Sequence, residues 1–133
     1  MRFLLDTNVC VDYLSGRQPG VVQRLQRLSP KDVAVSAIAV AELRYGADKS
    51  ARPEANHQRL DRFFAEVATL DFDHAAASAY GRLRTTLETS GTPIGPNDML
   101  IAAQALARDL VVVTDNVSEF ERVKGLQLEN WRV

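Results

Sequence analysis

A single cysteine, Cys10, and only two histidines leave the chain without the side chains for an internal disulfide or for a zinc site built on cysteine pairs. His57 and His74 have no cysteine or acid at zinc spacing, so both read as surface or capping residues, and no Ser-His-acid set can be assembled. Cys10 itself reads as an inert buried thiol. No apolar stretch approaches the roughly 18 residues of a membrane span, and no basic-then-apolar leader precedes Phe3; both absences predict a cytoplasmic protein with no membrane partner. An excess of one charge is missing too. The 16 Lys and Arg against 17 Asp and Glu give a formal net charge of -1, so no global field draws in nucleic acid, and any polyanion must be gripped by a local patch or through metal. What is present is ordinary for one globular domain: 133 residues, 46% hydrophobic, enough to bury a core without staples and too few for a second domain. Internal repeats and low-complexity tracts are absent.

Short β-type runs alternate with longer helical patterns. Phe3 to Leu5, Val33 to Val35, Val67 to Leu70, Leu110 to Val113 and a weak run at Leu126 to Leu128 read as strands. They lack polar alternation, as strands covered on both faces do. The chain is therefore expected to be α/β: a central, mostly parallel sheet of four or five strands flanked by helices on both faces. Thr7 to Leu14 and Val21 to Leu28 read as helices broken by Ser15-Gly16 and Pro19-Gly20. Ser36 is placed to cap a helix carrying Ala39 to Ala47, Pro53 to open another, and Asp73 to cap Ala75 to Leu87. The Gly91-Thr92-Pro93-Ile94-Gly95-Pro96 segment delivers the chain stiffly to a helix from Asn97 to Ala107.

On this frame four acids stand where a carboxylate is costly. Asp6 and Asp115 fall just past the carboxyl ends of strands, where open parallel sheets bind ligands. Asp98 lies in the first turn of a helix whose same-face neighbours, Ile101, Ala102 and Ala105, are apolar. Glu42 shares its helix face with Ile38, Tyr45 and Gly46. Any one of these can be a capping or edge carboxylate, but burying four like charges is costly unless a divalent cation neutralises them.

The motifs around these acids resemble those of the PIN-domain ribonucleases, most closely the bacterial VapC-type toxins of toxin-antitoxin pairs. Leu4-Leu5-Asp6-Thr7-Asn8 is similar to the opening motif, Ser36 through Ala47 to the second, Gly91 through Asp98 with Leu100 to Ala103 to the third, and Val113-Thr114-Asp115-Asn116-Val117-Ser118-Glu119-Phe120 to the fourth. The closing segment through Trp131 is also of the kind found in these toxins. The resemblance covers nearly the whole chain and implies a single PIN domain over residues 1–133.

It further implies a hydrolase: a Mg2+- or Mn2+-dependent endoribonuclease whose acids hold one or two ions, since oxygen-only ligands favour hard cations. Asp6 and Asp98 are the implied direct ligands, with Glu42 as ligand or as the group positioning the attacking water. The fourth position can be aligned with Asp115 or Asn116, and Glu119 is a third candidate. Thr7 and Thr114 are hydroxyls that can orient carboxylates, while Asn8 and Ser36 are either helix caps or further supports of the site. Arg44, Lys49, Arg52, Arg82 and Arg84 are the candidate RNA contacts, each otherwise plain helix surface. The Tyr45-Gly46-Ala47 and Gly-Thr-Pro-Ile-Gly-Pro versions of the motifs resemble the subgroup that cuts the anticodon loop of initiator tRNA. The implied partners are a VapB-type antitoxin, in a heterooligomer, and a second copy of the chain in a homodimer. Phe63, Phe64, Tyr13 and Leu60 are either contact surface or core, and Trp131 is expected to anchor the final strand. Three alternatives stay open: a PIN nuclease acting on ribosomal or messenger RNA, a catalytically silent PIN-like module, and a phosphatase with an aspartate nucleophile. The last wants a second Asp where Asn8 stands.

Overall fold

The structure, a computed structural model, describes residues 1–132. Its elements are β1 (Phe3–Leu5), α1 (Thr7–Ser15), α2 (Pro19–Arg27), a single 3-10 turn (Pro30–Asp32), β2 (Val33–Ser36), α3 (Ala37–Asp48), α4 (Pro53–Glu66), β3 (Ala68–Leu70), α5 (His74–Thr89), α6 (Pro96–Arg108), β4 (Val111–Val113), α7 (Val117–Phe120) and β5 (Gln127–Glu129). The sheet runs in the order β3-β2-β1-β4-β5, and every pairing is parallel rather than mostly so.

Register explains how so short a sheet divides two cores. Phe3 pairs with Val33 and Val111, and Leu5 with Val35 and Val113, so residues two apart share a face. Leu4, Ala34, Leu70 and Val112 face α5 and α6, meeting Leu83, Leu87, Ile101 and Phe120. Phe3, Leu5, Val33, Val35 and Val113 face the other way, onto Val9, Val21, Leu43, Leu60 and Phe63 of α1 to α4. Each fully buried aliphatic or aromatic side chain contributes about 1.5–3 kcal/mol, which is how three-residue strands hold together. Leu60 and Phe63 are thus core, and Tyr13 and Phe64 pack on its edge.

Several boundaries differ from the pattern reading. Val67 and Leu110 lie just outside β3 and β4, and β5 begins one residue later than expected. Pro19-Gly20 does not break a helix; Pro19 opens α2, where its missing N–H costs nothing. Gly20 is there for closeness: a Cβ on it would meet the Trp131 carbonyl oxygen at 2.6 Å. Trp131 in turn packs edge-on against Phe3, with ring centroids 5.3 Å apart, and its Nε1 donates to Glu129 at 2.9 Å, so it anchors β5. Gly20→Ala therefore pushes α2 off the segment after β5 and is expected to cost about 1–3 kcal/mol. A thermal midpoint equal to the wild type's would show that α2 is free to shift.

Asp73 caps α5 by accepting from Ala76 N at 2.9 Å. His74 is the exposed first residue of α5, while His57 on α4 bonds Asp48 at 2.7 Å and Arg44 at 3.0 Å. Among the described residues no helix is long and apolar enough to cross a membrane.

Candidate active site

The chain runs outward from β1 to β2 to β3 on one side and to β4 and β5 on the other, so the direction of the sheet reverses between β1 and β4. Parallel sheets bind ligands in the crevice at the carboxyl ends of strands flanking such a switch. Here those ends carry Asp6, directly after β1, and Thr114-Asp115, directly after β4.

Asp6 does two things. It is the N-cap of α1, accepting from Val9 N at 3.0 Å, and the neighbouring Thr114 side chain also favours its charged form. Only 4% exposed, its carboxyl is pushed up to about 6, first by burial and then by the charges of Asp115 and Asp12, against the lowering effect of those two neighbours. Asp98, in the first turn of α6, is pushed up to about 7 by burial and by the neighbouring charges of Glu119, Asp6 and Glu42. Glu119 on α7 goes the other way. Gly95 N donates to its Oε1 and Asn116 Nδ2 to its Oε2 at 2.6 Å, and these bonds hold it below the usual carboxylate range. Asp98 stands close enough to Glu119 for each to shift the other's titration.

Gly95 lets these two acids converge. A Cβ there would stand 3.3 Å from Glu119 Oε1 and 3.6 Å from Asp98 Oδ2. Glu42 is held by Thr7 Oγ1, which donates to its Oε1 at 2.6 Å and links α1 to α3. Its placing has a different origin from the one read in the sequence. The buried stripe of α3 is Ala39, Leu43 and Ala47, whereas Tyr45 is 65% exposed, so Glu42 borders the buried face instead of lying on it.

Asp115 Oδ2 forms an ion pair with Arg132 Nη1, 3.0 Å away, and its Oδ1 is shut off from solvent without a hydrogen-bond partner. Asn116 N donates to Thr114 Oγ1 at 2.9 Å. Ser36 caps α3, and its buried hydroxyl bonds Gln104 Oε1; Gln104 Nε2 then reaches the Leu70 carbonyl at 2.9 Å. That chain ties β2, β3 and α6 together in the core and touches none of the acids. Asn8 is exposed on α1.

Asp6, Glu42, Asp98 and the pair Asp115 and Glu119 thus come from four separate stretches of chain to one edge of the sheet. Among the described residues no three Asp, Glu, His or Cys groups stand together as a closed metal cage. The acids meet in pairs, as Asp6 with Asp115 and Asp98 with Glu119. Carboxyls whose pKa values are raised first by burial and then by one another's charge, a buried orphan oxygen and all-oxygen donors together fit a hard divalent cation.

The basic residues are unevenly free. Arg44 is taken up by Asp61 at 2.7 Å, by His57 and by the Phe64 ring, and Arg84 by Tyr80 and Glu88. Lys49 lies 4.7 Å over the Tyr45 ring, and Arg52 is exposed just before α4. Arg82 instead lines a groove together with Arg122 and Lys124, over a floor of Leu83, Leu87 and Val123. Arg122 also donates to the Pro93 carbonyl at 3.0 Å, in the loop that leads to Asp98. Neither Arg122 nor Lys124 stands out in the sequence, because both fall in a segment without helical or strand periodicity.

A parallel sheet with acids gathered at its switch point defines a nuclease-like α/β domain, and the family comparison agrees. The PIN domain model matches residues 3–126. The chain is 40% identical over 131 residues to the tRNA(fMet)-specific endonuclease VapC of Shigella flexneri, covering 98% of each. It is 41% identical over 132 residues to the ribonuclease VapC2 of Rickettsia felis, again covering 98% of each. The crystal structure of DNA-bound VapBC from Salmonella typhimurium superposes with a TM-score of 0.93 at 40% identity, over 98% of both chains. This chain belongs to the PIN-domain family of nucleases, within its VapC-type ribonuclease toxins.

Proposed function

We propose that this chain is the toxin of a VapBC pair: a single PIN domain over residues 1–133 that hydrolyses phosphodiester bonds in structured RNA with Mg2+ or Mn2+. The observation that carries the reading is the convergence of Asp6, Asp98, Glu119 and Glu42, where burial first and then the charges of its neighbours raise the pKa of Asp98 to about 7. Structural carboxylates are seldom set so close without a counterion. When bound there, a divalent ion supplies charge relief at the scissile phosphate and a metal-activated water at neutral pH.

The chain's own residues do the rest. Asp6 and Asp98 ionise and hold the cation, each already fixed at a helix start. Glu42, aimed by Thr7 Oγ1, positions the attacking water or completes the ligand set. Glu119, pinned by Gly95 N and Asn116, stays charged beside Asp98. The phosphate backbone lies along the groove of Arg82, Arg122 and Lys124, which gives a net-negative protein a local grip on a polyanion.

The substrate is the anticodon loop of initiator tRNA. This rests on the likeness to the Shigella flexneri relative, a tRNA(fMet)-specific endonuclease, and on the preference of small nucleases for splayed single-stranded loops. The partners are a VapB-type antitoxin, a reading supported by the likeness to the Salmonella typhimurium VapBC complex, and a second copy of the chain.

The test is incubation of total bacterial RNA with the purified, antitoxin-free chain, in Mg2+ or in chelator, followed by mapping of new 5′ ends. Metal-dependent ends confined to one tRNA loop are expected. Discrete ends in ribosomal or messenger RNA would replace the substrate, and no cleavage by folded, metal-loaded protein would leave a silent module.

A further inference from the structure

Asp12 is 6% exposed on α1, with a nominal charge that the core cannot carry alone. Its counterion is Arg132, which grips it with both arms of a fork: Nε to Oδ2 at 2.8 Å and Nη2 to Oδ1 at 3.0 Å. Two parallel bonds fix the plane of a guanidinium, so the remaining arm, Nη1, has only one direction to point. That arm lies 3.0 Å from Asp115 Oδ2, in an ion pair. Among the described residues Arg132 is the one cation in ion-pair contact with any of the five acids at the sheet edge.

We infer that Arg132 is a positioning residue: anchored by Asp12, it fixes Asp115 by one oxygen and leaves Oδ1 as that carboxylate's sole free acceptor. A carboxylate tied in this way offers one lone-pair direction where a free one would offer both oxygens. The guanidinium also offsets part of the negative charge that attracts a metal ion. Arg132 therefore lowers metal affinity while improving the geometry in which the metal is used. This inference rests on the proposed metal-dependent nuclease.

These two effects separate in a variant series made in the full, antitoxin-free chain. Mn2+ binding is measured from the free-ion EPR signal, and RNA cleavage in single turnover at saturating Mn2+. Arg132→Gln removes one positive charge and is expected to bind Mn2+ on the order of tenfold more tightly yet cleave on the order of tenfold more slowly. Arg132→Lys keeps the charge but loses the fork, so its Mn2+ affinity stays at the wild-type level while cleavage falls. Asp12→Asn with Arg132→Gln leaves the local charge unchanged and no buried acid stranded; it is expected to fold, to bind Mn2+ as the wild type does, and to cleave slowly. Simple damage to the fold would weaken binding and cleavage together. Full cleavage by the double variant, or Mn2+ affinity in Arg132→Gln equal to or below the wild type's, would overturn the positioning role. A wild-type chain that binds no Mn2+ would defeat the metal reading itself and the role of Arg132 with it.

Discussion

Asp98→Asn and Asp6→Asn are each expected to lose RNA cleavage by roughly a thousandfold, because each removes a carboxylate proposed to hold the ion that relieves charge at the scissile phosphate. The fold survives both, and for Asp6 it is expected to gain. Asn at position 6 still offers an oxygen to Val9 N, so α1 keeps its cap, while the buried charge that Asp115 and Asp12 crowd is gone. In chelator, Asp6→Asn should melt at or above the wild-type temperature. Asp6→Ala, which loses the cap as well, should fall below Asp6→Asn by about 1 kcal/mol. Higher stability with lost activity is the signature of a residue whose charge serves function at the expense of folding. Wild-type cleavage rates in a verified Asp98→Asn protein would remove this acid from the mechanism.

Cleavage at limiting metal should rise steeply between pH 5.5 and 8. Asp6, at about 6, and Asp98, at about 7, must both be ionised to hold a cation. Well below both values each required deprotonation contributes about a tenfold loss per pH unit, so two together approach a hundredfold. Saturating metal shifts the profile to lower pH, because the ion competes with protons for the same oxygens.

The stability of the metal-free chain runs in the opposite sense. Both folded-state values lie above the ordinary 3.8 of an aspartate, so between about pH 4 and 7 the folded state holds protons that the unfolded chain has released. Stability is then greatest at the lower end of that window and declines as pH rises through 6 and 7. For Asp6, the more buried of the two, the decline amounts to about 3 kcal/mol. Glu119, held below its ordinary value, adds a contribution of the other sign that is lost only on further acidification. Denaturant titrations at pH 5, 6, 7 and 8, in chelator and in Mn2+, would show the decline and its removal by metal. A flat metal-free profile would mean that the acids do not crowd one another in solution.

How much of this could be read from the residues follows from the range of the interactions involved. Asp6, Asp98 and Asp115 were visible because strand ends and helix starts are marked locally, by apolar runs, Pro and Gly. Glu42 was visible as a misplaced acid, although Tyr45, counted on its face, turned out to be exposed. Glu119 could be named only as one of three candidates, since its role depends on Gly95, 24 residues earlier. Asp12 and Arg132 carry no local mark at all. A charged residue on a helix and another after a tryptophan read as surface, and only the sheet order brings positions 120 residues apart into one fork. The same holds for Gly20, which sequence alone makes a helix breaker and the Trp131 carbonyl makes a spacer.

The strand order also has a consequence for biosynthesis. Of the five strands β1 is made first, yet it lies at the centre of the sheet, and β4, its neighbour across the switch point, begins only at Val111. Until that stretch has emerged, the crevice has a single wall, and Asp98, Asp115 and Glu119 have no partners from the first half of the chain. A nascent polypeptide of this architecture carries no complete cleft until β4 has been made. The proposed activity cannot begin before that point, so the interval in which an inhibitor must capture the enzyme starts at a defined moment instead of growing with the length already made.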